Sequence, residues 1–248
     1  MVFVVPTYNL VYAAVPKAAC TSLKRAMCRL EHGTEFRGVE ANGKRLGLQQ
    51  AFPTTRFERG DFAQLDDPWL FAVIRDPAER VLSTWSERVM GAGRLEIAND
   101  RRMGSGLTRI MRKVTGGMGA QPMLDPRPTL DQFVLNLDHY AATYPAVAHH
   151  VQSASWFLGP DLGIYDRIYT VRELDQLQTD IRARTGVADF TIPHRNASPK
   201  AYRATIDDLS DAAFDALMTW LAPEYDFLGQ WVDMPRRDQR NTQQTGTI

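Results

Sequence analysis

Residues 10–30 constrain the fold more than any other stretch, because they form a predicted buried strand, a tight turn and an amphipathic helix in succession. Residues 10–15 are an unbroken apolar run with β-branched and aromatic members, which is typical of a strand covered on both faces. Pro16 ends that strand because proline cannot donate to a sheet ladder. Apolar side chains then recur at helical spacing. The charged residues of this helix are expected on its other faces: Lys24, Arg25 and Arg29.

The turn between strand and helix, residues 16–22, carries small side chains, two hydroxyls and one lysine. Free N–H groups and the positive end of the helix dipole favour an anion in such a turn. Lys17 would add a point charge, while Thr21 and Ser22 would cap the helix or donate to the anion. Taken alone, the turn also fits an ordinary strand–helix connection with a surface lysine.

A nucleoside triphosphatase of the P-loop class is disfavoured by this turn. The pattern G-x-x-x-x-G-K-[ST] is absent, since the turn has no glycine and its lysine precedes the hydroxyls instead of abutting them.

A second predicted strand–helix unit lies at residues 67–89. Its strand covers residues 69–74, and Pro77 stands at the first position of the helix that follows. Arg75 ends the strand and Ser83 lies two turns into the helix. An arginine and a hydroxyl at the carboxyl edge of a sheet make a phosphate clamp, because guanidinium binds phosphate in a bidentate manner. By itself, the stretch also fits an ion pair of Arg75 with Asp76 or Glu79 on a solvated turn.

The two stretches together resemble one enzyme family. PKAACTSLKR resembles the 5′-phosphosulfate loop of carbohydrate sulfotransferases, in the branch that includes chondroitin, dermatan and HNK-1 sulfotransferases and their bacterial relatives. RDPAERVLSTW resembles the family's 3′-phosphate motif. The resemblance implies that 3′-phosphoadenosine 5′-phosphosulfate (PAPS) is bound as co-substrate. The residues that it implies for binding are Lys17, Ala18, Ala19, Cys20, Thr21, Ser22, Arg75 and Ser83.

A histidine pair follows in residues 144–158. Family members carry a histidine shortly before a glutamine here, and His149, His150 and Gln152 resemble that pattern. Sulfuryl transfer to a hydroxyl needs a general base, and histidine titrates nearest to neutrality. We expect His149 to be the base, because it lies nearer to the family's spacing, and His150 to pack or contact the acceptor. Glu40 is the next candidate.

Other segments resemble the family more loosely. A third strand is predicted over residues 163–171, with a helix after it. Residues 194–198 resemble the family's N-x-S segment, and residues 222–229 resemble its closing Y-x-x-D element. Residues 91–128 are rich in glycine and arginine, which fits either a basic acceptor-binding lid or a solvated insertion.

Composition excludes several classes of protein. The 248 residues, 44% hydrophobic and 23% charged, suffice for one globular α/β domain. The formal net charge is zero, so no global field attracts nucleic acid or an anionic membrane. No apolar run approaches the roughly 20 residues of a membrane span. The apolar start lacks a basic region and continues into the first predicted strand, so we expect no signal peptide and a cytoplasmic location.

The two cysteines, Cys20 and Cys28, are predicted to be free thiols. Eight residues of helix separate them by roughly 12 Å, which is too far for a disulfide. Nothing beside Cys20 in the sequence would act as its base, so we expect this thiol to pack under the turn. No cluster of cysteine and histidine has the spacing of a metal site.

We predict one α/β domain over residues 1–232 and a polar, disordered tail over residues 233–248. The implied fold has three layers and is P-loop-like, with a central, mainly parallel sheet of four or five strands. The implied function is in-line sulfuryl transfer from PAPS to a hydroxyl acceptor, a carbohydrate or glycolipid, without a metal. Two alternatives stay open: a magnesium-nucleotide-dependent kinase using Asp66, Asp67 or Asp76, and a non-catalytic nucleotide-binding relative.

Overall fold

The computed structural model describes residues 2–103, 124–193 and 202–239. The chain divides into two compact units. The first consists of Met1–Pro77, Gln152–Ala197 and Pro223–Asp233, and the second of Ala78–Val151, Ser198–Ala222 and Met234–Ile248. The predicted features that lie outside the described residues are the N-x-S segment at 194–198, the centre of the glycine- and arginine-rich stretch at 104–123, and the tail beyond 239.

The strands in the described residues are β1 (Phe3–Val5), β2 (Leu10–Ala14), β3 (Val39–Ala41), β4 (Lys44–Leu46), β5 (Trp69–Ile74) and β6 (Arg167–Thr170). The α-helices are α1 (Cys20–His32), α2 (Leu48–Ala51), α3 (Pro77–Thr84), α4 (Arg94–Met103), α5 (Leu130–Leu135), α6 (Leu137–Thr143), α7 (Pro145–Val151), α8 (Ala154–Leu158), α9 (Leu174–Thr185) and α10 (Asp211–Leu228). A π-helix, Trp85–Gly91, continues α3.

The central sheet of the first unit has the order β1-β2-β5-β6. Strand β2 pairs in parallel with β5, and β5 in parallel with β6, whereas β1 pairs antiparallel with β2. Strands β3 and β4 form a separate hairpin. The prediction of a mainly parallel, four- to five-stranded sheet is therefore confirmed, although β1 was not anticipated.

Helices cover both faces of this sheet. Side chains alternate across each strand, so every strand contributes residues to the core on both faces. One face packs on α1 and α9, and its strand residues include Tyr12, Ala14, Phe71, Val73 and Tyr169. The other face packs on α8 and the end of α10, and its strand residues include Val11, Ala13, Leu70, Ala72 and Ile168. The unbroken apolar runs of β2 and β5 thus reflect strands buried on both sides.

The helical prediction for α1 is wrong at one position. Lys24 was expected to face away from the core, but its side chain is only 2% exposed. It lies between Leu23 and Met27, which are both buried, so α1 turns this lysine toward the protein interior.

The second unit is helical in its described part. Thr129 and Gln132 form a capping box at the start of α5. Helix α5 ends at Leu135, and Asn136 separates it from α6. Two hydrogen bonds join α10 to these helices: the Ser210 N–H donates to Asp131 Oδ1 (3.1 Å), and Trp220 Nε1 donates to Asp138 Oδ1 (2.6 Å). None of the helices in the described ranges has the length and apolarity that crossing a membrane requires.

Candidate functional site

The turn after β2 presents the start of α1 without a side-chain cap. The helix begins at Cys20, and its N-cap residue, Ala19, lies in the left-handed region and accepts no capping hydrogen bond on its side chain. Thr21 and Ser22 therefore lie inside the first helical turn. The N–H groups of that turn have no intrahelical partners, which leaves them suited to an anion.

The backbone of this turn is strained. Lys17 and Ala19 have φ angles of 67° and 56°, which are uncommon for residues other than glycine. Between them, Ala18 is fully buried, and its N–H donates to the carbonyl oxygen of Val15 (3.3 Å). Such strain persists where the surrounding structure enforces it, and it is frequent at ligand sites.

The structure brings two of the predicted site residues together. Arg75 Nη1 donates to the carbonyl oxygen of Lys17 at 3.5 Å. The two residues meet because β2 and β5 are parallel neighbours, so their carboxyl ends lie at one edge of the sheet. Both side chains are half-buried. This edge therefore combines two cations with the uncapped start of α1, an arrangement that can bind an anion with more than one phosphate or sulfate group.

The Asp76 carboxylate beside this edge is held by a tyrosine. Tyr225 Oη donates to Asp76 Oδ2 at 2.9 Å, and the tyrosine is buried. Tyr225 belongs to the segment predicted to resemble the family's closing element. Its contact fixes the turn that follows Arg75.

The other two candidate magnesium ligands lie at the opposite end of β5. The backbone carbonyl oxygens of Asp66 and Asp67 accept hydrogen bonds from Asn9 Nδ2 (2.8 and 3.1 Å), just before β2 and β5 begin. They therefore belong to the amino edge of the sheet, whereas Asp76 belongs to the carboxyl edge. Within residues 2–103, 124–193 and 202–239, no group of three or more histidine, cysteine, aspartate or glutamate side chains could hold a metal ion.

A small pocket adjoins the start of α1. Its lining comes from the turn, from α9 and from the segment after it, and consists of Ala19, Ser22, Leu174, Asp175, Gln178, Ile192 and Pro193. Gln178 Oε1 accepts from the Ile192 N–H (2.8 Å), which holds that segment beside α9.

Ser83 lies in α3, in the second unit, and is 7% exposed. The neighbouring hydroxyls of Thr84 and Ser86 donate to the carbonyl oxygens of Arg80 and Leu82 (2.9 Å each). By contrast, the Ser83 hydroxyl has no hydrogen-bond partner within the described ranges. A hydroxyl of this kind is suited to a ligand oxygen.

The histidine pair lies on α7, in the second unit, with the two rings nearly perpendicular and their centroids 5.2 Å apart. Both ring nitrogens of His150 are engaged: Nδ1 lies 2.8 Å from the carbonyl oxygen of Ala146, and Nε2 lies 3.1 Å from Arg88 Nε. Because arginine only donates, Nε2 is an acceptor and Nδ1 carries the proton. Protonating Nε2 would break the bond to Arg88 and place two cations side by side.

Arg88 was not predicted as a site residue. It lies on the π-helix, where one extra residue per turn changes the direction of the side chains that follow. A helical pattern in the sequence does not reveal such an insertion, so no signal pointed to Arg88.

The predicted free thiols are confirmed. Burial raises the pKa of Cys28 to about 11, so this thiol stays protonated at neutral pH. Cys20, in the first residue of α1, is partly exposed.

Comparison with known proteins identifies a family for the chain. A search of curated proteins and a search of solved structures each find no match. The model of the Sulfotransferase family matches residues 1–217, which is most of the chain and includes the turn before α1, Arg75, Ser83 and the histidine pair. A mainly parallel sheet with helices on both faces agrees with this assignment. The chain therefore belongs to the Sulfotransferase family.

Proposed function

We propose that this sulfotransferase transfers the sulfuryl group of PAPS to a hydroxyl acceptor on a carbohydrate or glycolipid. The observation that carries the proposal is the contact between Arg75 and Lys17. It unites the two motifs that resemble the 5′-phosphosulfate and 3′-phosphate sites at one sheet edge. A donor with anionic groups at both ends of its ribose needs such a pair of cations.

The turn would hold the 5′ end of the donor. Backbone N–H groups at the start of α1 and the hydroxyls of Thr21 and Ser22 would donate to the phosphosulfate oxygens. The small side chains of Ala18, Ala19 and Cys20 allow the backbone to approach. Arg75 and Ser83 would bind the 3′-phosphate, and the Ser83 hydroxyl, which lacks a protein partner within the described ranges, supports that role.

PAPS supplies an activated sulfuryl group, whose bond to the bridging 5′-phosphate oxygen breaks as the acceptor oxygen attacks sulfur. The bridging oxygen gains negative charge during this step. Lys17 would stabilise that charge, and a positioned donor contributes most when it acts on charge that develops only in the transition state. The acceptor loses its proton to a base.

His149 is the base in this proposal. His150 is the weaker candidate because Arg88 occupies its Nε2 lone pair and Ala146 accepts from its Nδ1–H. His150 would instead hold the π-helix against α7 and so support the position of its neighbour.

A magnesium-dependent kinase receives less support. Of its three candidate carboxylates, Asp66 and Asp67 lie at the amino edge of the sheet, and Asp76 accepts a hydrogen bond from Tyr225. A cytoplasmic location remains a prediction.

Calorimetry with three ligands tests the proposal: adenosine 3′,5′-bisphosphate, ATP, and ATP with Mg²⁺. We expect the bisphosphate to bind at least about tenfold more tightly than ATP, because only the bisphosphate offers a 3′-phosphate to Arg75. Mg²⁺ should not improve ATP binding. Tighter binding of magnesium-ATP than of the bisphosphate would favour the kinase.

Turnover separates an enzyme from a binding protein. Radiolabelled sulfate in PAPS should move to members of a panel of carbohydrates and glycolipids. Bisphosphate binding without transfer to any of them, and without slow PAPS hydrolysis, would favour the non-catalytic alternative.

A further inference from the structure

The most unusual charged group outside the predicted site is the buried ammonium of Lys24. Its three protons have three neutral acceptors: Thr54 Oγ1 at 2.7 Å, the carbonyl oxygen of Phe52 at 2.7 Å and Gln49 Oε1 at 3.2 Å. No carboxylate lies within ion-pair distance of it in the described residues. Burial accordingly lowers its pKa.

Lys24 fixes the orientation of the Gln49 side chain. An ammonium only donates, so the amide must turn its oxygen toward Lys24 and its NH₂ group away. The opposite orientation would place two sets of donors against each other. Gln49 lies on the short helix α2.

The NH₂ group of Gln49 then contacts Thr21, in the first turn of α1. Gln49 Nε2 donates to Thr21 Oγ1 at 2.9 Å. The threonine oxygen is therefore an acceptor in this contact, and its own proton points elsewhere. Within the described ranges that proton has no acceptor.

We propose that Lys24 and Gln49 are positioning residues that orient the Thr21 hydroxyl as a hydrogen-bond donor to the bound PAPS. The chain of contacts runs from a buried cation, through an amide of fixed orientation, to the hydroxyl at the start of α1. An anionic donor accepts hydrogen bonds only, so a hydroxyl whose proton is kept available binds it better than one whose proton is engaged. This inference rests on the proposed function, since it assigns a role to Thr21 in donor binding.

Gln49→Glu is the most direct test. The introduced carboxylate retains the contact with Lys24 but can only accept, so the Thr21 proton must turn toward it. We expect the affinity for adenosine 5′-phosphosulfate to fall about tenfold, as loss of one such hydrogen bond implies. The probe is this compound because it carries the phosphosulfate group that Thr21 would contact.

Gln50→Glu is the matched control. Gln50 is the next residue of α2, and its Oε1 accepts from the Gly47 N–H at 2.9 Å. A carboxylate keeps that bond and adds the same charge to the same helix. Affinity in this variant should change less than twofold. Equal losses in both variants would mean that charge alone is responsible, and would overturn the proposal.

A double-mutant cycle with Thr21→Val separates orientation from general stability. If Gln49 acts through the Thr21 hydroxyl, Gln49→Glu has no further effect on affinity once that hydroxyl is removed. Lys24→Met should behave likewise, with its affinity loss absent in the Thr21→Val background. Losses that simply add, or a normal affinity in Gln49→Glu, would overturn the proposal.

Failure of this proposal is distinguishable from failure of the proposed function. A wild-type protein that binds neither adenosine 5′-phosphosulfate nor the bisphosphate contradicts the function itself. Should Gln49→Glu not fold, the cycle of Lys24→Met with Thr21→Val, measured below its unfolding temperature, gives the same decision.

Discussion

At the scale of single residues, Lys17 and Arg75 hold different positions on the same sheet edge. Arg75 donates to the Lys17 carbonyl oxygen, so it supports the turn as well as offering its guanidinium to a ligand. Lys17 contributes its ammonium from a backbone held at positive φ. Measurements of binding and of rate therefore distinguish their proposed roles.

Lys17→Ala should lower kcat by about a hundredfold, because the charge it stabilises develops only in the transition state. Affinity for the bisphosphate should change far less. Arg29→Ala is the control, since Arg29 lies near the other end of α1 and pairs with Asp189 on the surface. Steady-state kinetics with PAPS would show the split, and an unchanged kcat with a raised KM would contradict the role.

Arg75→Ala should weaken binding of adenosine 3′,5′-bisphosphate by about 2–3 kcal/mol, which is the cost of losing a charge-assisted contact. Adenosine 5′-phosphosulfate lacks the 3′-phosphate and should bind almost as before. Calorimetry with both ligands checks this. Equal losses would instead assign Arg75 to support of the Lys17 turn.

At the scale of elements, the junction of β2 and α1 contains a strained backbone that lowers stability. Ala19 lies at φ 56° without the freedom of glycine. Ala19→Gly removes this strain but adds chain entropy to the unfolded state. We therefore expect the free energy of unfolding to rise by up to about 1 kcal/mol. Denaturant titration measures the change.

Ala18→Gly serves as the counterpart, because Ala18 is fully buried and its φ is not positive. That substitution should destabilise the protein by about 1 kcal/mol. The same sign for both substitutions would show that the turn is not strained at Ala19.

Helix α7 carries both candidates for the general base, and substitution of each histidine tests which one acts. His149→Ala should lower kcat at least about a hundredfold while leaving bisphosphate affinity intact, and it should remove the acid limb of the kcat–pH profile. His150→Ala should mainly reduce stability, because it leaves Arg88 without an acceptor on Nε. The reverse outcome would move the base by one residue.

At the scale of the whole molecule, the question is whether the two units act as the single domain predicted over residues 1–232. Lys17 and Arg75 belong to the first unit and Ser83 to the second. Bisphosphate at about 100 times its dissociation constant should stabilise the protein by about 2.7 kcal/mol and raise the Tm by roughly 5–10 °C.

Scanning calorimetry with and without the bisphosphate provides the measurement. We expect one transition that moves as a whole. Two transitions, of which the ligand moves only one, would show that the units unfold separately and would contradict the prediction of a single domain. ATP at the same concentration should give a smaller shift.

Local pattern was sufficient for the strands and turns that lead to the site. The apolar runs predicted strands β2 and β5, and Pro77 predicted the start of α3. These signals work because side-chain burial and backbone geometry act within a few residues. Parallel pairing then followed from the intervening helices, because parallel strands need a crossover. The candidate anion site at the carboxyl edge was therefore predictable from the chain alone.

Only the tertiary structure decided which contacts those residues make. Lys24 was predicted on an outer face of its helix, and its burial depends on acceptors that lie some 25 to 30 residues later in the chain. Arg88 meets His150 because a π-helix redirects it, and Tyr225 meets Asp76 across 149 residues. Periodicity describes which side of an element is apolar, but it holds no information about which distant polar group completes a hydrogen bond, because that depends on how separate elements pack.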